Sequence, residues 1–153
     1  MSEMWGGTLM AVLEVISQVV LLMFLGVAAL IDYKEKELPL VDIGAGFLTG
    51  FIFQCITGNL EIREIIFGSL VGVVVMGISK LTREAVGLGD GCMLVATGAF
   101  LGLIDNLILL MGALILAGAW SAGLLVIRRK NNKCEIPFVP FMLGGYVLVL
   151  AMF

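Results

Sequence analysis

The chain has 153 residues, of which 61% are hydrophobic and 14% charged, with a net charge of −3. A soluble domain has about 45–50% apolar and about 25% charged residues, so this composition excludes a water-exposed globular surface and implies an integral membrane protein. There is no histidine, and Cys55, Cys92 and Cys134 form no C-x-x-C pair, which argues against zinc sites, haem attachment, disulfide scaffolds and Ser/His/Asp or Cys/His catalysis.

Charged residues cut the sequence into six apolar runs: Thr8 to Ile31 (interrupted by Glu14), Ile43 to Leu60, Ile65 to Ser79, Gly91 to Ile104, Asn106 to Ile127 and Ile136 to Phe153. The first run is long and lacks a basic n-region, so a cleaved signal peptide is not expected. A spanning helix needs about 20 residues, with a range of about 17–25, and the first, second, fifth and sixth runs fall within it. The third and fourth have 15 and 14 residues, and they span only if flanking polar residues enter the interface. Arg63 can snorkel for the third. Fourteen residues rise about 21 Å against about 30 Å of hydrocarbon. Helix four must therefore start before Asp90, which places Asp90 at or inside the membrane boundary. The reading is an all-α polytopic domain over residues 1–153, with about six transmembrane helices and a tight fourth connection at Asp105-Asn106.

Basic residues orient it. The first, third and fifth connections hold Lys34, Lys36, Lys80, Arg83, Arg128, Arg129, Lys130 and Lys133, and the second and fourth hold only Arg63. The positive-inside rule makes the richer side cytoplasmic and both termini non-cytoplasmic. Asp32 ends helix one and Asp90 begins helix four on that same side. Gly46 and Gly50, Gly68 and Gly72, and Gly98 and Gly102 are small-residue pairs four apart, which let helices approach closely in lipid.

Without imidazole, chemistry must come from Asp, Glu, Lys, Tyr, Ser or Cys. An ionisable residue within a span is a functional hypothesis by default. Asp90 is flanked by Gly87, Gly89 and Gly91, which permit close backbone approach, including that of a substrate strand; its plainer role is a helix cap. Two carboxylates close together in a poorly hydrated site share a proton. One can then act as base on a water while the other acts as acid on a scissile carbonyl. That is aspartic proteolysis, and it needs no metal or cofactor. Glu35, Glu37, Asp42, Glu84 and Glu135 read as a solvated face that balances neighbouring cations. Cys92 reads as a small apolar filler, and Glu14, Glu61, Glu64 and Asp105 as water-facing residues of the outer boundary. The four cations from Arg128 to Lys133 read as anchors at anionic lipid headgroups.

Three motifs together resemble the type IV prepilin peptidases: Asp32 followed by a charged loop and Leu38-Pro39, then Gly87-Leu88-Gly89-Asp90 as a G-x-G-D motif, then the proline segment from Ile136 to Phe141 containing Pro137 and Pro140. The resemblance implies Asp32 and Asp90 as the catalytic pair of a membrane-embedded aspartic endopeptidase of a prokaryotic inner membrane. Its substrate would be a prepilin-like, pseudopilin-like or preflagellin-like membrane protein with a short basic leader and a hydrophobic helix, cut on the cytoplasmic side. Membrane lipid is the other expected partner, and no nucleic acid is. Family members often have Ile-Pro-Asn where this chain has Leu38-Pro39-Leu40, and a lysine soon after the second Asp where it has Gly91-Cys92-Met93-Leu94, departures that bear on substrate preference. The longer bacterial members carry an N-terminal region of paired C-x-x-C motifs associated with N-methylation. The sequence lacks one, so peptidase activity without methyl transfer is expected. The alternatives are a presenilin-like or signal-peptide-peptidase-like intramembrane protease, and a non-enzymatic channel or transporter subunit in which the aspartates relay protons or ions.

Overall fold

The computed structural model describes residues 2–35, 40–58, 60–82, 87–127 and 137–152. Leu38, Pro39, Lys36, Glu37, Arg83, Glu84, Arg128, Arg129, Lys130, Lys133 and Glu135 lie outside the described residues, as do the side chains of Glu35 and Asp42. The described residues form helices α1 (Ser2–Glu35), α2 (Leu40–Thr57), α3 (Ile62–Leu81), α4 (Leu88–Ile127) and α5 (Val139–Met152), with no strand among them. The all-helical expectation therefore holds. Ala11–Lys34, Ile62–Leu81 and Leu88–Leu124 are each long and apolar enough to cross a membrane. Helix α5, with 14 residues, is shorter than its apolar run, and α2, with 18, equals its run in length but starts and ends three residues earlier.

The outer surface is apolar as well as the interior. Val15, Ile66, Val73, Ile115 and Trp120 are all exposed. A water-solvated bundle would turn a polar face outward, so lipid is the solvent this surface fits. Without a hydrophobic drive between helices in lipid, small residues and polar contacts must hold the bundle together, and both are present. Helices α3 and α4 meet backbone to backbone. A Cβ at Gly72 would lie 2.3 Å from Val95 N, and one at Gly98 would lie 2.3 Å from the Gly68 carbonyl. Gly46 seats the ring of Phe24, and Gly50 that of Phe100. A further seam, not anticipated from the sequence, joins Gly112 and Gly145, where a Cβ at Gly145 would lie 2.4 Å from Leu109 O.

Helix α4 is interrupted at Gly102, whose φ of 74° and ψ of −168° are non-helical. A positive φ of this kind suits glycine. The chain reverses there. Asn106 Nδ2 donates to Leu94 O at 3.0 Å, although residues twelve apart on a continuous helix would be about 18 Å apart. The limbs 88–101 and 103–127 therefore lie side by side. The expected connection at Asp105-Asn106 is displaced to Gly102, and Asn106 is fully buried within the second limb. It also donates to Gly68 O at 2.9 Å and accepts from Thr97 Oγ1 at 2.7 Å. The break strands carbonyls at the end of the first limb, and Gln54 of α2 answers one of them by donating to Phe100 O at 2.7 Å. Leu60 and Glu64, near the start of α3, pack beside Gly102. The reversal thus lies at one end of the bundle, and the start of α4 lies at the other.

Candidate active site

Asp32 stands in the last turn of α1 and is buried. Asp90 stands three residues into α4, which begins at Leu88 and so starts before Asp90, as helix length requires. Gly87 is the residue before the helix. Its carbonyl accepts from the Asp90 N–H at 3.2 Å, and its own N–H donates to the Asp90 carboxylate. Asp90 thus occupies the acidic position of a capping box, with its side chain folded back over the start of its own helix. A Cβ at Gly87 would lie 2.9 Å from Asp90 Oδ2. Glycine at 87 lets the carboxylate reach that position.

The two carboxylates sit within electrostatic range of each other. Residues 58 apart in sequence are thus brought to one end of the bundle. A third element joins them. The backbone N–H of Val139, the first residue of α5, donates to Asp32 Oδ2 at 3.1 Å. Sequence reasoning placed Pro137 and Pro140 at the start of the last helix but did not connect that segment with Asp32. With donor and acceptor 107 residues apart, no local pattern could have shown it. Pro140 occupies the first turn of α5, where a missing N–H costs nothing. Pro137 precedes the helix and is half-buried.

The glycines of the motif serve different ends. Gly91 is buried against α3, where a Cβ would lie 2.5 Å from Met76 Cγ, so it packs helices and leaves no room for a substrate strand. Gly87 is exposed and Gly89 half-buried. Cys92 turns toward α3, with Sγ 3.8 Å from Met76 Sδ, which agrees with its reading as filler. Pro39 lies outside the described residues. Glu14, Glu61 and Glu64 are exposed, and Asp105 is half-buried beside the reversal. Among the described residues no three His, Cys, Asp or Glu side chains gather as metal ligands would.

Beside the aspartates opens an apolar cavity of about 310 Å³ between α1, α2 and the first limb of α4. Ile31 and Ala28 line it next to Asp32, Met93 one turn beyond Asp90, and Val20 at its far end. Along α1 that is eleven residues, or about 16 Å. Val27, Ala45 and Thr49 at the rim are exposed. The volume suits a few large apolar side chains rather than a whole helix.

A family model described as the type IV leader peptidase family matches residues 19–122. The prepilin leader peptidase/N-methyltransferases of Aeromonas salmonicida (strain A449) and Aeromonas hydrophila are each 27% identical to the chain over 108 residues. Those matches cover 66% of this chain and 37% of each relative, so only a minor part of the relatives' length is represented. No solved structure matches.

Proposed function

Because the chain belongs to the type IV leader peptidase family, we propose that it is a membrane-embedded aspartic endopeptidase with Asp32 and Asp90 as its catalytic pair. The observation that carries this reading is that the two carboxylates, from α1 and α4, lie within electrostatic range of each other at one end of an apolar bundle. One carboxylate takes a proton from water, and the oxygen attacks the scissile carbonyl carbon. The other, protonated, gives its proton to the carbonyl oxygen. Collapse of the resulting diol breaks the C–N bond, and the departing amine takes up a proton from the pair.

The substrate is a prepilin-like membrane protein. Its hydrophobic helix would pack beside the enzyme, with apolar side chains in the cavity that starts at Ile31 and Met93. Its basic leader would remain in the cytoplasm, and the junction would lie across Asp32 and Asp90. The distribution of lysine and arginine supports that side and a six-crossing arrangement with both termini outside, in a prokaryotic inner membrane. The reversal at Gly102 divides α4 in the way six crossings need. The relatives' name joins peptidase to N-methyltransferase. The three cysteines of the 153 residues form no C-x-x-C pair, and we propose the peptidase activity alone for this chain.

The test is cleavage of a prepilin-like substrate by the purified protein in parallel with Asp32→Asn and Asp90→Asn. Cleavage by the wild type and by neither variant is expected. Full cleavage by either single variant would remove that residue from the pair. Mass spectrometry of the mature N-terminus should show no added methyl group.

A further inference from the structure

We infer that the backbone N–H of Val139 is a positioning group of the active site: the start of α5 holds the Asp32 carboxylate in its working orientation. This rests on the catalytic reading of Asp32 above. The segment lies outside the family-matched residues 19–122.

The first turn of α5 leaves this one donor free to point outward. The N–H groups at a helix start have no partner within the helix and must find one elsewhere. Phe141 N–H donates to Phe138 O at 2.9 Å, and Met142 N–H to the same oxygen at 3.1 Å. Pro140 has no N–H at all. Val139 N–H remains, and it donates to Asp32 Oδ2 at 3.1 Å. Proline at 140 therefore removes a neighbouring donor, so the helix offers Asp32 a single directed hydrogen bond together with its positive end.

The donor is itself fixed in place. Val139, Met142 and Tyr146 are fully buried. Tyr146 Oη donates to Gln18 O at 3.0 Å on α1, the helix that carries Asp32. Gly145 lets α5 lie directly on the second limb of α4. A hydrogen bond between two packed elements orients a carboxylate better than one from a free side chain, because neither partner must be ordered when substrate arrives.

An ester in place of the 138–139 amide tests this: it deletes the one N–H and keeps valine's side chain, whereas proline at 139 would drive its ring into Asp32 Oδ2, which lies 3.1 Å from the nitrogen. Val139→Ala keeps the N–H and trims the side chain. With a prepilin-like substrate, the ester should lower kcat by roughly 10- to 100-fold, the scale of one hydrogen bond to a charged group, with KM unchanged. V139A should stay within about threefold of wild type, since its hydrogen bond is intact. The inference is overturned if the ester matches V139A in kcat, or if it only melts earlier with kcat preserved. Asp32→Asn runs alongside. If that variant still cleaves, the catalytic reading itself has failed, whatever the Val139 variants do.

Discussion

Substituting Gly72 by alanine should damage this protein, while the same change at Gly77, five residues along the same helix, should improve it. A Cβ at Gly72 would meet Val95 N at 2.3 Å, Gly91 O at 2.5 Å and Leu94 C at 2.7 Å. All three are backbone atoms of α4, and none can rotate away. Ordinary carbon contacts lie at about 3.5–4.0 Å, so α3 must withdraw from α4 by roughly 1 Å. The withdrawal also opens the Gly68–Gly98 contact one turn away. Overpacking of this kind costs about 1–3 kcal/mol. At Gly77 nothing lies within 4 Å of the added Cβ, and alanine in a helix interior gains about 0.5–1 kcal/mol over glycine. The two variants should therefore differ by about 1.5–4 kcal/mol in unfolding free energy. Unfolding equilibria in mixed micelles measure that difference. The first limb of α4 carries Asp90, so G72A should also lose cleavage rate at temperatures where it is fully folded, and G77A should not. Equal stability of the two variants would refute the backbone-to-backbone seam.

Asn106→Leu removes the partner of Leu94 O, Gly68 O and Thr97 Oγ1. At about 0.6 kcal/mol per hydrogen bond within a membrane, a loss of about 2 kcal/mol is expected in the same unfolding assay. Gly102→Ala forces a side chain to a φ of 74° and a ψ of −168°, a region that glycine alone adopts readily and that costs roughly 1–3 kcal/mol; melting temperature should fall while kcat of the folded variant is unaffected, because the reversal is remote from the aspartates. Gly87→Ala places a Cβ 2.9 Å from Asp90 Oδ2 and should lower kcat with little change in melting temperature, read by steady-state cleavage beside a thermal melt. Ala45→Phe at the rim of the apolar cavity should raise KM several-fold and leave kcat unchanged. An equal rise in KM from Leu70→Phe, on the exposed face of α3, would show a general effect of added bulk.

What could be read from the sequence, and what could not, divides by the range of the interaction. The glycine pairs were legible because spacing of four is local, and Gly68, Gly72 and Gly98 lie where one helix crosses another. That Asp32 and Asp90 lie at one end of the bundle was legible because each stands at a helix end, and alternation of sides brings those ends together. The reversal in α4 was misplaced for a physical reason. A charged or amide pair in an apolar run suggests water, so Asp105-Asn106 drew the boundary. In the fold, Asn106 is buried and its polarity is met by two carbonyls and a hydroxyl, while the turn falls at a glycine three residues earlier than Asp105.

The same principle governs the end that carries the two aspartates. In lipid a stranded backbone group costs several kcal/mol, so each break in a helix must be matched by a polar side chain from elsewhere. At Gly102 the match is Gln54 to Phe100 O. At the start of α5 it is Asp32 to Val139 N–H, and at the start of α4 it is Asp90 to Gly87 N–H. Each aspartate thus caps a helix, Asp90 its own and Asp32 another's. The capping role and the catalytic role, which compete when Asp90 is judged from sequence, are compatible. A carboxylate fixed by a backbone N–H keeps its second oxygen for chemistry, and the helix it caps sets where that oxygen points.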